Sequence, residues 1–178
     1  MTIICWRNGF MASDSCWATY GTQTVSAVKI QRLSSGALLG SAGDNDARAM
    51  VKLLDGVKSP RGLPSRRELA DTKTDYEGLI AFPKGGVWMI VTGRHDETGY
   101  PLGPDGAEES ESDYGVWPAT TMGGFAAAGC GADYALAAMK AHASVSAYAA
   151  VKVACELNVH CKLPVHVVPL HPKRRKKR

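Results

Sequence analysis

The sequence predicts an α+β protein in which helices pack outside antiparallel sheets, and three observations carry that prediction. Short apolar runs broken by turn residues fill roughly the first forty positions, before any helical periodicity begins. A second pair of such runs follows near positions 78–92. Only after Met122-Gly123-Gly124 does the chain turn alanine-rich and helical in pattern. An order of strands, helix, strands, two helices and strand fits layered α+β packing better than alternating βα units, which would demand a parallel sheet. No internal repeat is present.

The first element is a hairpin. Thr2 to Trp6 is a short apolar run, Asn8-Gly9 is the turn and Phe10-Met11-Ala12 returns. Asn-Gly is a strong hairpin signal because both residues tolerate the positive φ that a type I′ turn requires. After a turn at Gly21, Thr24 to Leu33 and Ala37 to Ala42 read as two more strands separated by Ser34-Ser35-Gly36. A helix is expected from near Asp44, where an aspartate can cap exposed amides, because Ala47, Met50, Val51, Leu54 and Val57 recur at helical spacing. Gly56 and Pro60 end it. Lys58 to Lys73 is a polar connection with a short helix around Ser65 to Asp71. Gly78 to Phe82 and Val87 to Thr92 form a second hairpin across Pro83-Lys84-Gly85-Gly86. Gly93 to Pro118 is acidic and glycine-rich, and is expected to be a long loop. Helices follow from about Ala132 to His142 and from about Ser144 to Leu157, the latter capped by Ser144 or Ser146, with a last strand at Val165 to Leu170.

The chain has 178 residues, 45% of them hydrophobic and 21% charged, enough apolar surface for one packed domain over residues 1–170. No run approaches the ~20 apolar residues that cross a bilayer, so no membrane association is expected. The start lacks a basic region and Trp6-Arg7-Asn8-Gly9 interrupts its apolar run, so the protein is expected to stay in the cytoplasm. Five cysteines without a C-x-x-C pair predict reduced thiols rather than a disulfide framework. The net charge of +4 hides an imbalance: Lys173 to Arg178 supply six positive charges, so the remainder carries 4 − 6 = −2. Self-repulsion makes residues 171–178 a solvated basic tail first, and a contact for nucleic acid or another acidic partner second.

Thr2 is the most informative residue. It is small enough for Met1 to be trimmed, which would leave a hydroxyl and a free α-amine on one residue. That amine has a pKa near ~8, so at neutral pH it can serve as base for its own hydroxyl. Met-Thr starts are common, so the surroundings must carry the argument. With the turn at Asn8-Gly9, antiparallel pairing brings Asp14 beside Thr2. Lys29, a cation in its predicted strand, can reach the same place from a neighbouring strand, where paired with Asp14 it would lower the hydroxyl pKa. Taken singly, the two are an exposed strand lysine and a turn aspartate; together with Thr2 they make a catalytic pattern.

These residues belong to a longer series. Thr2-Ile3-Ile4, Arg7-Asn8-Gly9, Ala12-Ser13-Asp14, Lys29-Ile30-Gln31-Arg32-Leu33, Gly40-Ser41-Ala42-Gly43 with Asp46-Ala47, and Gly129-Cys130-Gly131-Ala132-Asp133-Tyr134-Ala135 follow one another as in a proteasome β-type subunit. In size the chain most resembles the bacterial HslV-type protease. The resemblance runs from residue 2 to about 170, and each motif is short, so its specificity lies in order and spacing. It implies an N-terminal-nucleophile hydrolase: a four-layer αββα sandwich acting as a threonine endopeptidase on unfolded polypeptide, within homo-oligomeric stacked rings fed by a ring ATPase unfoldase. Thr2 would attack, Asp14 and Lys29 would set the electrostatics, and the Gly40 amide would stabilise the oxyanion. A plain strand-end glycine explains Gly40 equally well. The opening hairpin is about two residues shorter on each strand than in that family, which keeps facing pairs facing.

Two departures stand out. Cys130 occupies the place of a serine that hydrogen-bonds the threonine amine, and a thiol is a poorer partner. Asn158 occupies the place of an aspartate. The resemblance also implies a monovalent cation held through the backbone carbonyls of Cys155, Asn158 and Cys161, with no other cofactor. Read from the residues alone, Cys155, His160, Cys161 and His166 match no standard zinc spacing. Cys130 as a thiol nucleophile would need a histidine base that the sequence does not place. Gly129-x-Gly131 is better explained by a tight turn than by phosphate binding. The alternative function is a catalytically impaired, proteasome-like scaffold subunit whose basic tail holds an acidic partner.

Overall fold

In the computed structural model the described residues are 2–19, 22–25, 28–42, 47–72, 76–92, 115–119 and 124–172. The strands are β1 (Ile4–Arg7), β2 (Phe10–Ser13), β3 (Cys16–Thr19), β4 (Thr22–Val25), β5 (Ile30–Arg32), β6 (Leu38–Ser41), β7 (Tyr76–Phe82), β8 (Gly86–Thr92), β9 (Gly115–Pro118), β10 (Phe125–Ala128) and β11 (His166–Pro169). The helices are α1 (Ala47–Leu54), α2 (Arg66–Ala70), α3 (Ala132–Ala141) and α4 (Ala147–Leu157).

One sheet has the order β10-β1-β2-β11 and the other β5-β6-β7-β8-β9, both antiparallel, while β3 and β4 pair as a separate hairpin. Strand alternation then builds four layers. In β1, Ile4 and Trp6 face the second sheet and pack with Met11, Leu38, Leu79 and Val87. Their neighbours Ile3 and Cys5 face the other way, into Ala135, Met139, Ala150, Val151 and Ala154 of α3 and α4. In the second sheet Leu39, Ile80 and Ile90 face outward onto Met50, Leu54 and Leu69 of α1 and α2. Both faces of each sheet are therefore covered, which is the αββα sandwich expected. This explains why β1 is buried at all four positions instead of alternating with polar residues. Ile4, fully buried, contributes about 1.5–3 kcal/mol by leaving water.

The hairpin turn forms as predicted. Asn8 and Gly9 adopt φ of 50° and 81° and the register is Arg7 opposite Phe10. Ser65 caps α2 in a reciprocal capping box with Glu68, and Ser146 caps α4 by accepting from the Ala149 amide. Several boundaries differ from the sequence reading. Thr24 to Leu33 is not one strand: β4 ends at Val25 and β5 begins at Ile30, because β4 pairs with β3 whereas β5 pairs with β6. β3 and β10 were not foreseen, and β10, Phe-Ala-Ala-Ala, lacks the branched and aromatic residues that mark strands. Its small side chains suit a strand lying directly beneath α3. The last residues of the predicted 93–118 loop form β9 against β8. The remainder of that acidic segment, the expected cap at Asp44 and the basic tail 173–178 lie outside the described residues. Among the described residues no helix is long and apolar enough to cross a membrane.

Candidate functional site

The site lies where the open ends of β1 and β2 meet the start of β5. Register carries it: Ile4 opposite Ser13 places Ile3 opposite Asp14, whose amide donates to the Ile3 carbonyl at 3.3 Å. Asp14 is wholly buried and its carboxylate is densely solvated by the protein. Oδ1 accepts from Thr2 Oγ1 at 2.6 Å, from the Ile3 amide at 3.1 Å and from Lys29 Nζ at 2.7 Å. Oδ2 accepts from the Cys16 amide at 3.0 Å and the Lys162 amide at 3.1 Å. Lys29 Nζ also donates to Thr2 Oγ1. A buried ion pair survives only when its remaining hydrogen-bonding capacity is met, and here five donors meet one carboxylate. Thr2, Asp14 and Lys29, all under 7% exposed, thus form one hydrogen-bonded cluster.

Gly40 lies in the middle of β6, opposite Ile30 and Leu79. A Cβ there would stand 2.5 Å from Ile4 Cγ2 and 2.7 Å from Met11 Sδ, so close approach of the two sheets requires glycine at this position. The Ser41 amide donates to the Lys29 carbonyl and the Ala42 amide to the Glu77 carbonyl. Alternation along the strand accordingly turns the Gly40 amide toward β7.

Cys130 sits in the turn between β10 and α3, its Sγ 3.4 Å from the Thr2 carbonyl oxygen, to which it donates. Gly129 beside it has φ +94°, and a Cβ there would collide with the same carbonyl. A hydrogen bond from the Cys161 thiol holds the Cys130 thiol well below the usual thiol range, while giving that bond and being buried push Cys161 up. The positive charge available to His160 acts on Cys130 in the same direction. Asn158 Nδ2 donates to the Cys130 carbonyl at 2.7 Å, so Asn158 braces this turn from the end of α4. The segment carrying the carbonyls of Cys155, Asn158 and Cys161 closes on itself, the Cys161 amide donating to the Asn158 carbonyl at 3.1 Å. Among the described residues no group of three or more His, Cys, Asp or Glu side chains is placed to hold a metal ion.

Sequence reasoning missed three contributors. Glu77, at the second position of β7, accepts the Gly129 amide on Oε1 at 2.8 Å and so fastens the Cys130 turn to the second sheet. The Lys162 and Cys16 amides reach Asp14 from segments with no motif of their own. A lone carboxylate in the apolar run Tyr76 to Phe82 was the only available signal for Glu77.

No family model matches the sequence, and no curated protein does. Solved structures do. BPH from Thiobacillus denitrificans superposes with a TM-score of 0.59 at 18% identity, covering 97% of this chain and 99% of that one. The same protein in complex with epoxomicin gives 0.53 at 20% identity over 96% and 99%. Eukaryotic HslV from Trypanosoma brucei gives 0.52 at 18% identity over 94% and 98%.

Proposed function

From the premise that the chain has the HslV/proteasome-like N-terminal-nucleophile hydrolase fold, we propose that it is a threonine-type endopeptidase acting through Thr2. The single observation that supports this most is the buried cluster of the Thr2 hydroxyl, the Asp14 carboxylate and the Lys29 ammonium. Removal of Met1 gives Thr2 a free amine. That amine takes the Oγ proton as Oγ forms its bond to the peptide carbonyl carbon, then hands the proton to the departing amine as the C–N bond breaks. Water attacks the resulting ester by the same exchange and restores the hydroxyl. Lys29 favours negative charge building on Oγ, and Asp14 fixes Lys29 and the Thr2 rotamer. Cys130 and Asn158 hold the Thr2 carbonyl side of the site. The oxyanion role of the Gly40 amide requires that amide to turn from β7 toward Thr2.

The wider reading is a homo-oligomer of stacked rings taking unfolded polypeptide from a ring ATPase, in the cytoplasm. Exposed Tyr134, Tyr148, Leu157, Val159 and Leu163 on and after α3 and α4 are apolar surface suited to contact between copies. The thiol in place of the serine favours a second reading, a scaffold subunit without activity. The two separate by experiment. An epoxyketone peptide such as epoxomicin, whose ketone and epoxide carbons can be taken by a hydroxyl and an amine of one residue, should add once per chain lacking Met1. Thr2→Ala should abolish the adduct. Retention of Met1 in the intact mass, or labelling that persists in Thr2→Ala, rejects the peptidase. Deleting residues 173–178 should abolish any salt-sensitive nucleic-acid binding and spare the labelling; binding that survives the deletion rejects the tail as that contact.

A further inference from the structure

Of the five cysteines, Cys5, Cys16 and Cys161 are buried, Cys155 is intermediate and Cys130 is exposed. Cys130 precedes the first turn of α3, and Cys161 follows α4, yet the fold brings them together. Cys161 Sγ lies 2.8 Å from where a Cβ on Gly131 would stand, so the missing side chain at Gly131 makes room for the Cys161 sulfur beside the residue that follows Cys130. The two segments are tied by Asn158 Nδ2 donating to the Cys130 carbonyl, and the turn that carries Cys161 is closed by the Cys161 amide donating to the Asn158 carbonyl. Between them His160 presents a buried Nδ1 that has no hydrogen-bond partner. An exposed cysteine in a turn that lies directly against a buried cysteine is the arrangement of an oxidisable pair with its own resolving cysteine.

We propose that Cys130 and Cys161 form a reversible disulfide when the protein meets a hydroperoxide, and that the bridge switches the N-terminal site through the Thr2 carbonyl. The second half rests on the reading of Thr2 as nucleophile. The Cys130 thiolate attacks a peroxide oxygen: an S–O bond forms, the O–O bond breaks, and the leaving hydroxide or alkoxide takes from solvent the proton that ionisation of the thiol released. The Cys161 sulfur then attacks the sulfenic acid. The S–S bond forms, the S–O bond breaks, and the hydroxide leaves as water with the Cys161 proton. Two thiols thus supply the two electrons that reduce one hydrogen peroxide to two waters, and a dithiol reverses the reaction. In the bridged form the Cys130 sulfur is drawn toward Cys161 and out of its 3.4 Å contact with the Thr2 carbonyl oxygen, so the residue that carries the proposed nucleophile loses a neighbour.

The test treats the full-length protein with hydrogen peroxide, then blocks free thiols and measures intact mass and linked peptides. The expected result is loss of two hydrogens and two titratable thiols per chain, a Cys130–Cys161 linked peptide, and recovery with dithiothreitol. Cys130→Ser, a surface change, should prevent the bridge. Cys161→Ala should leave Cys130 to proceed to sulfinic acid, gaining two oxygens. A bridge to any other cysteine, a bridge between chains, or direct sulfinic acid in the unaltered protein overturns the pair. Epoxyketone labelling of Thr2 should be lost on oxidation and return with dithiothreitol. Labelling undiminished in fully bridged protein overturns the coupling to Thr2. Absence of labelling in the reduced protein rejects the nucleophile instead, and the bridge is then judged by mass alone.

Discussion

Replacing Asp14 by Asn removes the charge that organises the site while changing volume little. The best orientation keeps an oxygen toward Thr2 Oγ1, the Ile3 amide and Lys29 Nζ, which points the new NH2 group at the Cys16 and Lys162 amides. Two charge-assisted bonds are replaced by donors facing donors. At about 1.5–3 kcal/mol each the loss is about 3–6 kcal/mol, of the same order as the cost of breaking a buried ion pair by removing one partner, about 3–5 kcal/mol. For a chain of this size that lowers Tm by roughly 6–24 °C. Thermal unfolding followed by circular dichroism measures it, with epoxyketone labelling of Thr2 as the second readout, expected to vanish. A fall in Tm below about 3 °C for Asp14→Asn would refute the account of Asp14 as the shared acceptor of five buried donors.

Other expectations follow from the same contacts. Gly129→Ala places a side chain at φ +94° and against the Thr2 carbonyl, so it should cost at least about 1–2 kcal/mol and abolish labelling; a stable, labelled variant would contradict the close approach. Gly40→Ala should cost about 1–3 kcal/mol by forcing Ile4 and Met11 apart, read as a lower denaturation midpoint, and a neutral result would mean that the two sheets are looser than described. Glu77→Ala frees the Gly129 amide and should slow Thr2 labelling, whereas Glu77→Gln, which keeps an acceptor, should restore most of it; equal rates in the two variants would remove Glu77 from the site. Because the Cys161 thiol stabilises the Cys130 thiolate, alkylation of Cys130 should stay fast as pH falls through 7, its midpoint lying below the ~8.5 of a free thiol. A midpoint at or above that value contradicts the contact.

The parts of the site that local chemistry governs were legible. A two-residue Asn-Gly turn fixes register, and register alone sets Asp14 beside the N-terminal strand, so Thr2 and Asp14 could be paired before any coordinates. Lys29 was visible as a cation following the apolar Ala27-Val28, although it lies in the crossing between two hairpins and not inside one strand. Strand β10 was invisible because its alanines are chosen for thinness beneath a helix, a requirement that exists only once the layers are stacked. Glu77 was invisible because its partner, the Gly129 amide, is 52 positions away.

By itself, then, the sequence determined what is local: turn geometry, strand and helix periods, a hydroxyl residue at position 2 and the order of motifs that marks the fold. Tertiary structure decided the rest, because it depends on which face meets which layer. The short apolar run Thr2 to Trp6 marked β1 as a strand but not which layer each of its faces meets. Only the closed sandwich brings Lys162 to Asp14, presses Gly40 onto Ile4 and lays the Cys161 sulfur against Gly131. Such contacts form between segments whose separation along the chain carries no signal, and they exist only after the core has excluded water.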